Sequence, residues 1–178
     1  MERRRSAALR VFFALVPDAS LQASLGVLAR EVAARVDGRA IPDANIHLTL
    51  AFIGELRPDR VDALRAVLHT LPRAAFVLSL DRLGVFRDAE VAWIAPANVP
   101  TELVALQSAL VAALSAQRFR VDDRPFHAHV TLARRCTRRT TRTSFTPIAW
   151  RVDRTALMRS MPSSEGVRYE ALDSIELV

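Results

Sequence analysis

Two short phrases carry the residue types that could do chemistry: His47-Leu48-Thr49-Leu50 and His129-Val130-Thr131-Leu132. Each reads as a β-type run with one His and one Thr two positions on. Side chains at i and i+2 of a strand leave the same face, so each phrase aims an imidazole and a hydroxyl one way while its apolar residues turn into a core. If the two strands lie side by side, the imidazoles face each other across a gap lined by two hydroxyls. Such a gap suits a phosphate. One His can take a proton from a nucleophile, the other can protonate a leaving group, and the hydroxyls can hold non-bridging oxygens.

The elements that must position these phrases recur in the same order. The apolar run Val11 to Val16, then Pro17-Asp18 and a long helical segment, precedes the first motif. Val91 to Ala95, then Pro96 and another long helical segment, precedes the second. The spacing between the two runs nearly equals that between the two motifs, and Leu80 to Arg87 resembles Val152 to Arg159. Self-similarity at a long spacing is a fold-level signal. It predicts one bilobal domain over 1–178, an internal duplication of roughly 8–88 and 89–178, and a pseudo-two-fold axis that brings the motifs together. The first half holds an extra helix-like stretch from Pro58 to Leu71. Leu21, Leu25, Leu28, Val32 and Val36 fall at helical spacing behind Asp18 or Ser20 as cap, and Leu103, Leu106, Leu110 and Leu114 do so behind Thr101. The fold class is α+β: two pseudo-symmetric lobes of antiparallel sheet, helices outside, motif strands facing a central cleft.

Three longer pieces resemble the two-histidine phosphoesterase superfamily, and within it the RNA 2′,3′-cyclic phosphodiesterases, also called 2′-5′ RNA ligases. They are Arg10 to Leu15, His47 to Gly54 and Pro125 to Arg134. The resemblance implies hydrolysis of an RNA 2′,3′-cyclic phosphate end to a 2′-phosphate, and a weak reverse 2′-5′ ligation of tRNA-like fragments. It implies His47 as general acid and His129 as general base. Thr49 and Thr131 would hold phosphate oxygens, Arg134 would add positive charge, and Phe52 would stack on the terminal base. It implies no metal and no cofactor. The stretch from Arg135 to Arg142 matches no family pattern.

Composition limits the alternatives. The 51% hydrophobic content supports a packed globule, and no stretch approaches the roughly 20 apolar residues of a membrane helix. Arg3-Arg4-Arg5 before an apolar run mimics a signal peptide, but Arg10 interrupts the run and Pro17-Asp18 ends it too soon for export. The expected location is the cytoplasm, which one cysteine fits, and the expected state is a monomer without membrane contact. All 25 basic residues are Arg and the net charge is +6. That suits an RNA partner, because guanidinium binds phosphate bidentately and stacks on bases, although a coding bias toward Arg gives the same composition. The Arg-rich loop 134–142 follows a motif strand and is expected at the cleft mouth.

Individual residues carry competing readings. His127 shares a strand face with His129, which could make a metal-ligand pair, but the first motif offers Thr49 where a third ligand is needed. The duplication aligns Asn45 with His127, which marks His127 as a cleft-edge group. Phe52 follows Leu48 and Leu50 in alternation, which argues for core; only a bulge or twist near Gly54 turns it to the cleft. His69 reads as structural or exposed, Cys136 as a bystander without a partner motif, and Trp93 and Trp150, in strand-like runs, as core. Two other functions stay open: a phosphodiesterase for small cyclic phosphates or 2′-5′ oligonucleotides, and a non-catalytic RNA-end binding module.

Overall fold

Alternating apolar residues open the chain as strand β1 (Leu9–Leu15). Val11, Phe13 and Leu15 enter the main core, while Phe12 and Ala14 form a small cluster with Ala156 and Met158 on the other face. The Asp18 carboxylate accepts the Leu21 N–H at 2.8 Å and so starts helix α1 (Ala19–Val36). An exposed N–H that the helix cannot satisfy is thereby paired. Strand β2 (Arg39–Ala40), a 3₁₀ turn at Asp43–Asn45 and strand β3 (Leu48–Leu56) follow. The predicted helix from Pro58 to Leu71 is a 3₁₀ turn at Pro58–Arg60 leading into α2 (Val61–His69). Strands β4 (Phe76–Leu80), β5 (Arg82–Phe86) and β6 (Val91–Ala95) precede α3 (Thr101–Ala116). Thr101 is not the cap of α3. It lies inside the helix and its hydroxyl donates to Glu102. The chain ends in β7 (Val130–Arg134), β8 (Ile148–Val152), β9 (Arg154–Ser163) and β10 (Gly166–Glu176). This computed structural model describes residues 8–122, 124–138, 145–164 and 166–178. The Arg3–Arg5 run and the later part of the Arg-rich loop, 139–142, lie outside them.

Antiparallel pairing joins an eight-stranded sheet in the order β10-β9-β1-β3-β7-β6-β5, with β2 attached to β7, and a second sheet of β4 and β8. The fold is α+β. Read inward from either side, β9-β1-β3 mirrors β5-β6-β7, and the halves meet where Leu48 pairs with Val130. Each side is built from both halves of the chain. β9 and β10 complete the sheet of the first motif, β2 and β5 complete that of the second, and β4 and β8 supply one strand each to the small sheet. The helices cross over as well: α1 packs on β7 and β2, and α3 packs on β3. A strand edge left uncovered would expose its N–H and C=O groups, and each half covers the other's edge. One continuous core of Leu, Val, Ile, Phe and Ala runs under both sides. Among the described residues, no helix is long and apolar enough to cross a membrane.

Candidate active site

Both motif strands carry the same irregularity. On β3, Phe13 pairs with Ala51 and Ala14 with Thr49, so Leu50 has no partner. On β7, Ala92 pairs with Ala133 and Trp93 with Thr131, so Leu132 has none. One extra residue in a strand reverses the facing of everything beyond it. Phe52 and Arg134, each the fifth residue after its histidine, therefore return to the face of His47, Thr49 and Thr131. The bulge that turns Phe52 sits at Leu50, while a second irregularity at Ile53, next to Gly54, lies beyond the ring; Phe52 is 41% exposed instead of core.

The histidines stand one residue before the pairing of Leu48 with Val130. Extending that register by one residue sets His47 opposite Thr131 and Thr49 opposite His129. Each imidazole is hooked to its own chain: Nδ1 of His47 meets the Asn45 carbonyl at 2.7 Å, and Nδ1 of His129 meets the His127 carbonyl at 2.6 Å. A carbonyl only accepts, so Nδ1 carries the hydrogen in both rings and Nε2 is the nitrogen left for chemistry. In the neutral ring of His47, Nε2 accepts from the Thr49 hydroxyl at 3.0 Å. Each ring also meets an aromatic edge. His47 lies 5.1 Å from Tyr169 at 87°, and His129 lies 5.0 Å from Phe86 at 88°.

Withdrawal from water governs the charge of this pair. Burial against Phe12 and Tyr169 drives the pKa of His47 down to about 4, against the lift from its bond to Asn45. The charges of Arg134 and His129 push it the same way. His129 is lowered too, first by burial, with the His127 carbonyl opposing and His127 and Arg134 adding to the effect. Without an anion beside them, burial holds both imidazoles toward the neutral form.

A cleft of about 460 Å³ gathers most of the expected residues: His47, Thr49, Phe52, Thr131 and Arg134 line it, whereas His129, the residue before β7, is not among its lining residues. Arg135 continues the lining beyond Arg134. Cys136 is buried behind it, and His69 is exposed and paired with Asp173 at 3.0 Å. Trp150 is core, whereas Trp93 is only half-buried, next to Phe86. His127 is exposed, and its carbonyl contributes more than its ring, by fixing His129.

A sequence model of the 2′-5′ RNA ligase superfamily matches residues 17–161. The chain belongs to this superfamily. Within it, the RNA 2′,3′-cyclic phosphodiesterase of Thermus thermophilus is 28% identical over 182 residues, covering 95% of this chain and 90% of that one. The enzyme of the same name from Escherichia coli is 33% identical over 97 residues, a match that spans about half of each chain, 54% and 55%. The fold matches crystallised Escherichia coli LigT in its apo form with a TM-score of 0.84 at 26% identity, over 97% of this chain and 99% of that one.

Sequence reasoning in this superfamily member passed over Asn45, Tyr169, Phe12 and Phe86. Asn45 does three things. Its carbonyl orients His47, its amide donates to the Val167 carbonyl at 2.6 Å, and its side-chain oxygen accepts the Tyr169 N–H at 3.3 Å. One residue thus ties the imidazole to β10. The aligned positions of Asn45 and His127 hinted at a shared task, which the backbone performs. Tyr169 lies on a strand without a counterpart in the first half, so no repeat pointed to it. Arg10, set 5.0 Å over the ring of Phe52, lines the cleft as well.

Proposed function

We propose that this chain hydrolyses the 2′,3′-cyclic phosphate end of RNA to a 2′-phosphomonoester by metal-free acid–base catalysis. The observation that carries the reading is the pair of imidazoles held by identical Nδ1 hooks, with His47 and both motif threonines lining one cleft. In the proposed sequence, Nε2 of His129 takes a proton from water as its oxygen attacks phosphorus. The bond from phosphorus to O3′ breaks, and protonated His47 gives its proton to O3′. Thr49 and Thr131 bond the non-bridging oxygens, Arg134 offsets their charge, and the terminal base stacks on Phe52. An RNA 5′-hydroxyl in place of water would form a 2′-5′ linkage by the same path. The names of the curated relatives support cyclic phosphate hydrolysis, and Escherichia coli LigT has been crystallised with 3′-AMP. The reading extends to a cytoplasmic monomer acting on ends such as those of tRNA fragments, and to descent of the two halves from one duplicated unit, which the matched bulges support.

The test is incubation with an oligonucleotide ending in 2′,3′-cyclic phosphate, in excess chelator, with the product phosphomonoester identified by chromatography. The expected product is the 2′-phosphate, with turnover undiminished by the chelator. His47→Ala and His129→Ala should each lower kcat/KM by about 10²–10⁴-fold with the fold intact. Full activity in either folded variant, or activity lost to the chelator and restored by zinc, would overturn the mechanism.

A further inference from the structure

One side chain, that of Asn45, joins the cleft end of β10 to the turn before His47. β10 is an edge strand of the eight-stranded sheet, bonded along one side to β9. Its far end is tied to α2, where Arg65 donates to the Leu172 carbonyl at 3.5 Å and His69 meets Asp173 at 3.0 Å. Its near end lines the cleft through Gly166, Val167 and Tyr169. There Asn45 makes both bonds that a neighbouring strand would make. Its amide donates to the Val167 carbonyl at 2.6 Å, and its oxygen accepts the Tyr169 N–H at 3.3 Å. A primary amide offers donor and acceptor together, which suits it to close a strand edge. The strand so held carries a ring that meets His47 edge-on, 5.1 Å away at 87°, and Phe12 at 5.0 Å and 75°. The second motif is built differently. His127, aligned with Asn45, repeats the carbonyl hook, but the ring against His129 is Phe86, on a strand laddered to β6 from Arg82 to Phe86.

We propose that Asn45 is a positioning residue of the histidine site: its side chain latches β10 so that the Tyr169 ring closes one face of His47 to water. The carbonyl hook fixes Nδ1 alone, and an imidazole held at one nitrogen can still tilt about that bond. A ring packed edge-on removes the tilt and keeps Nε2 on Thr49. The titratable and charged groups facing His47 are His129 and Arg134 from the second motif and Tyr169 from β10. The first two are untouched when the amide of Asn45 is removed, so its loss acts through Tyr169, on solvent and on orientation. The effect on turnover rests on the proposed reading of His47 as the acid; the packing does not.

Titration of His47 by NMR, its signal assigned by its loss in His47→Gln, tests the latch without turnover. In wild type the midpoint should lie at about 4. Asn45→Ala keeps the carbonyl hook, and its midpoint should rise toward about 6.5 as water reaches the ring. Tyr169→Leu should raise it in the same way, and the double variant should add little to either, because both changes break one path. On a cyclic-phosphate oligonucleotide, Asn45→Ala should lower kcat by about 10–100-fold with a smaller change in KM. Its kcat/KM optimum should move to higher pH than that of wild type. A His47 midpoint in Asn45→Ala equal to that of wild type, or effects of the two variants that add in full, overturns the latch and leaves the proposed hydrolysis standing. If Asn45→Ala does not fold, Tyr169→Leu carries the test, since it leaves the Asn45 bonds in place and a wild-type midpoint in it overturns the wall. A raised midpoint in the variants, beside a wild type that turns over no cyclic phosphate, supports the latch and removes the hydrolysis reading.

Discussion

At His47 the ring is walled by Phe12 and Tyr169, and its pKa near 4 sets how the pair meets its substrate. In the proposed mechanism the active population is the singly protonated pair, which lies between the two macroscopic pKa values. Both histidines are lowered from 6.5, so in the unliganded enzyme that population peaks on the acid side of 6.5 and declines as pH rises through neutrality. This moves the kcat/KM optimum below the neutral value that two unperturbed imidazoles would give. A bound phosphate favours the charged imidazole and raises its pKa. The kcat profile should therefore lie at higher pH than that of kcat/KM, and phosphate binding at pH 7 should take up a proton. Steady-state rates over a pH series, with calorimetry in buffers of different ionisation enthalpy, check both; a kcat/KM optimum above pH 7.5 would contradict the burial argument. The two roles separate by leaving group. A substrate whose leaving group needs no proton should rescue His47→Ala but not His129→Ala, and the reverse pattern would exchange acid and base.

Between the residue and the sheet, the elements align the histidines through contacts that are themselves tightly packed. Gly84 on β5 pairs with Trp93 on β6, and a Cβ at Gly84 would lie 2.1 Å from the indole. The indole stacks 5.3 Å from Phe86, whose ring supports His129. Gly84→Ala must therefore push Trp93 aside. Overpacking of this kind costs about 1–3 kcal/mol, and about 2–4 °C of Tm per kcal/mol in a chain of this size. Differential scanning calorimetry should show the loss, and kcat should fall in protein that remains folded, because the disturbance reaches His129 through Phe86. An unchanged Tm would mean that the indole has room the packing does not show. On the other side, the bulges at Leu50 and Leu132 are as necessary as the motifs. Without them Phe52 and Arg134 would face away from the cleft.

Across the whole molecule, the exchange of strands and helices between halves makes stability indivisible. β1 depends on β9 for its outer edge, β6 depends on β5, and the small sheet needs one strand from each half. The fragments 1–88 and 89–178 should each fail to fold alone, as read by far-UV circular dichroism. The full chain should unfold in one transition, with dichroism and the fluorescence of Trp93 and Trp150 coinciding. Two resolved transitions, or a fragment with native strand content, would show that the lobes are separable.

By itself the sequence determined the two motifs, the repeated order of strand, helix and motif strand, the α+β class, and the residue types proposed to hold and cleave a phosphate. These are legible because period-two and helical spacing are local properties of the chain. Phe52 was not legible in this way. Its alternation with Leu50 pointed to the core, and only the pairing of β3 with β1 leaves Leu50 without a partner and turns the ring outward. Asn45 and Tyr169 were silent for a similar reason, since their roles depend on β10 returning from the far end of the chain to the turn before His47. The charge of the imidazoles was decided last and by tertiary structure alone. An isolated His has a pKa near 6.5 whatever its neighbours in sequence, and only the walls that fold around His47 remove the water that would keep it there.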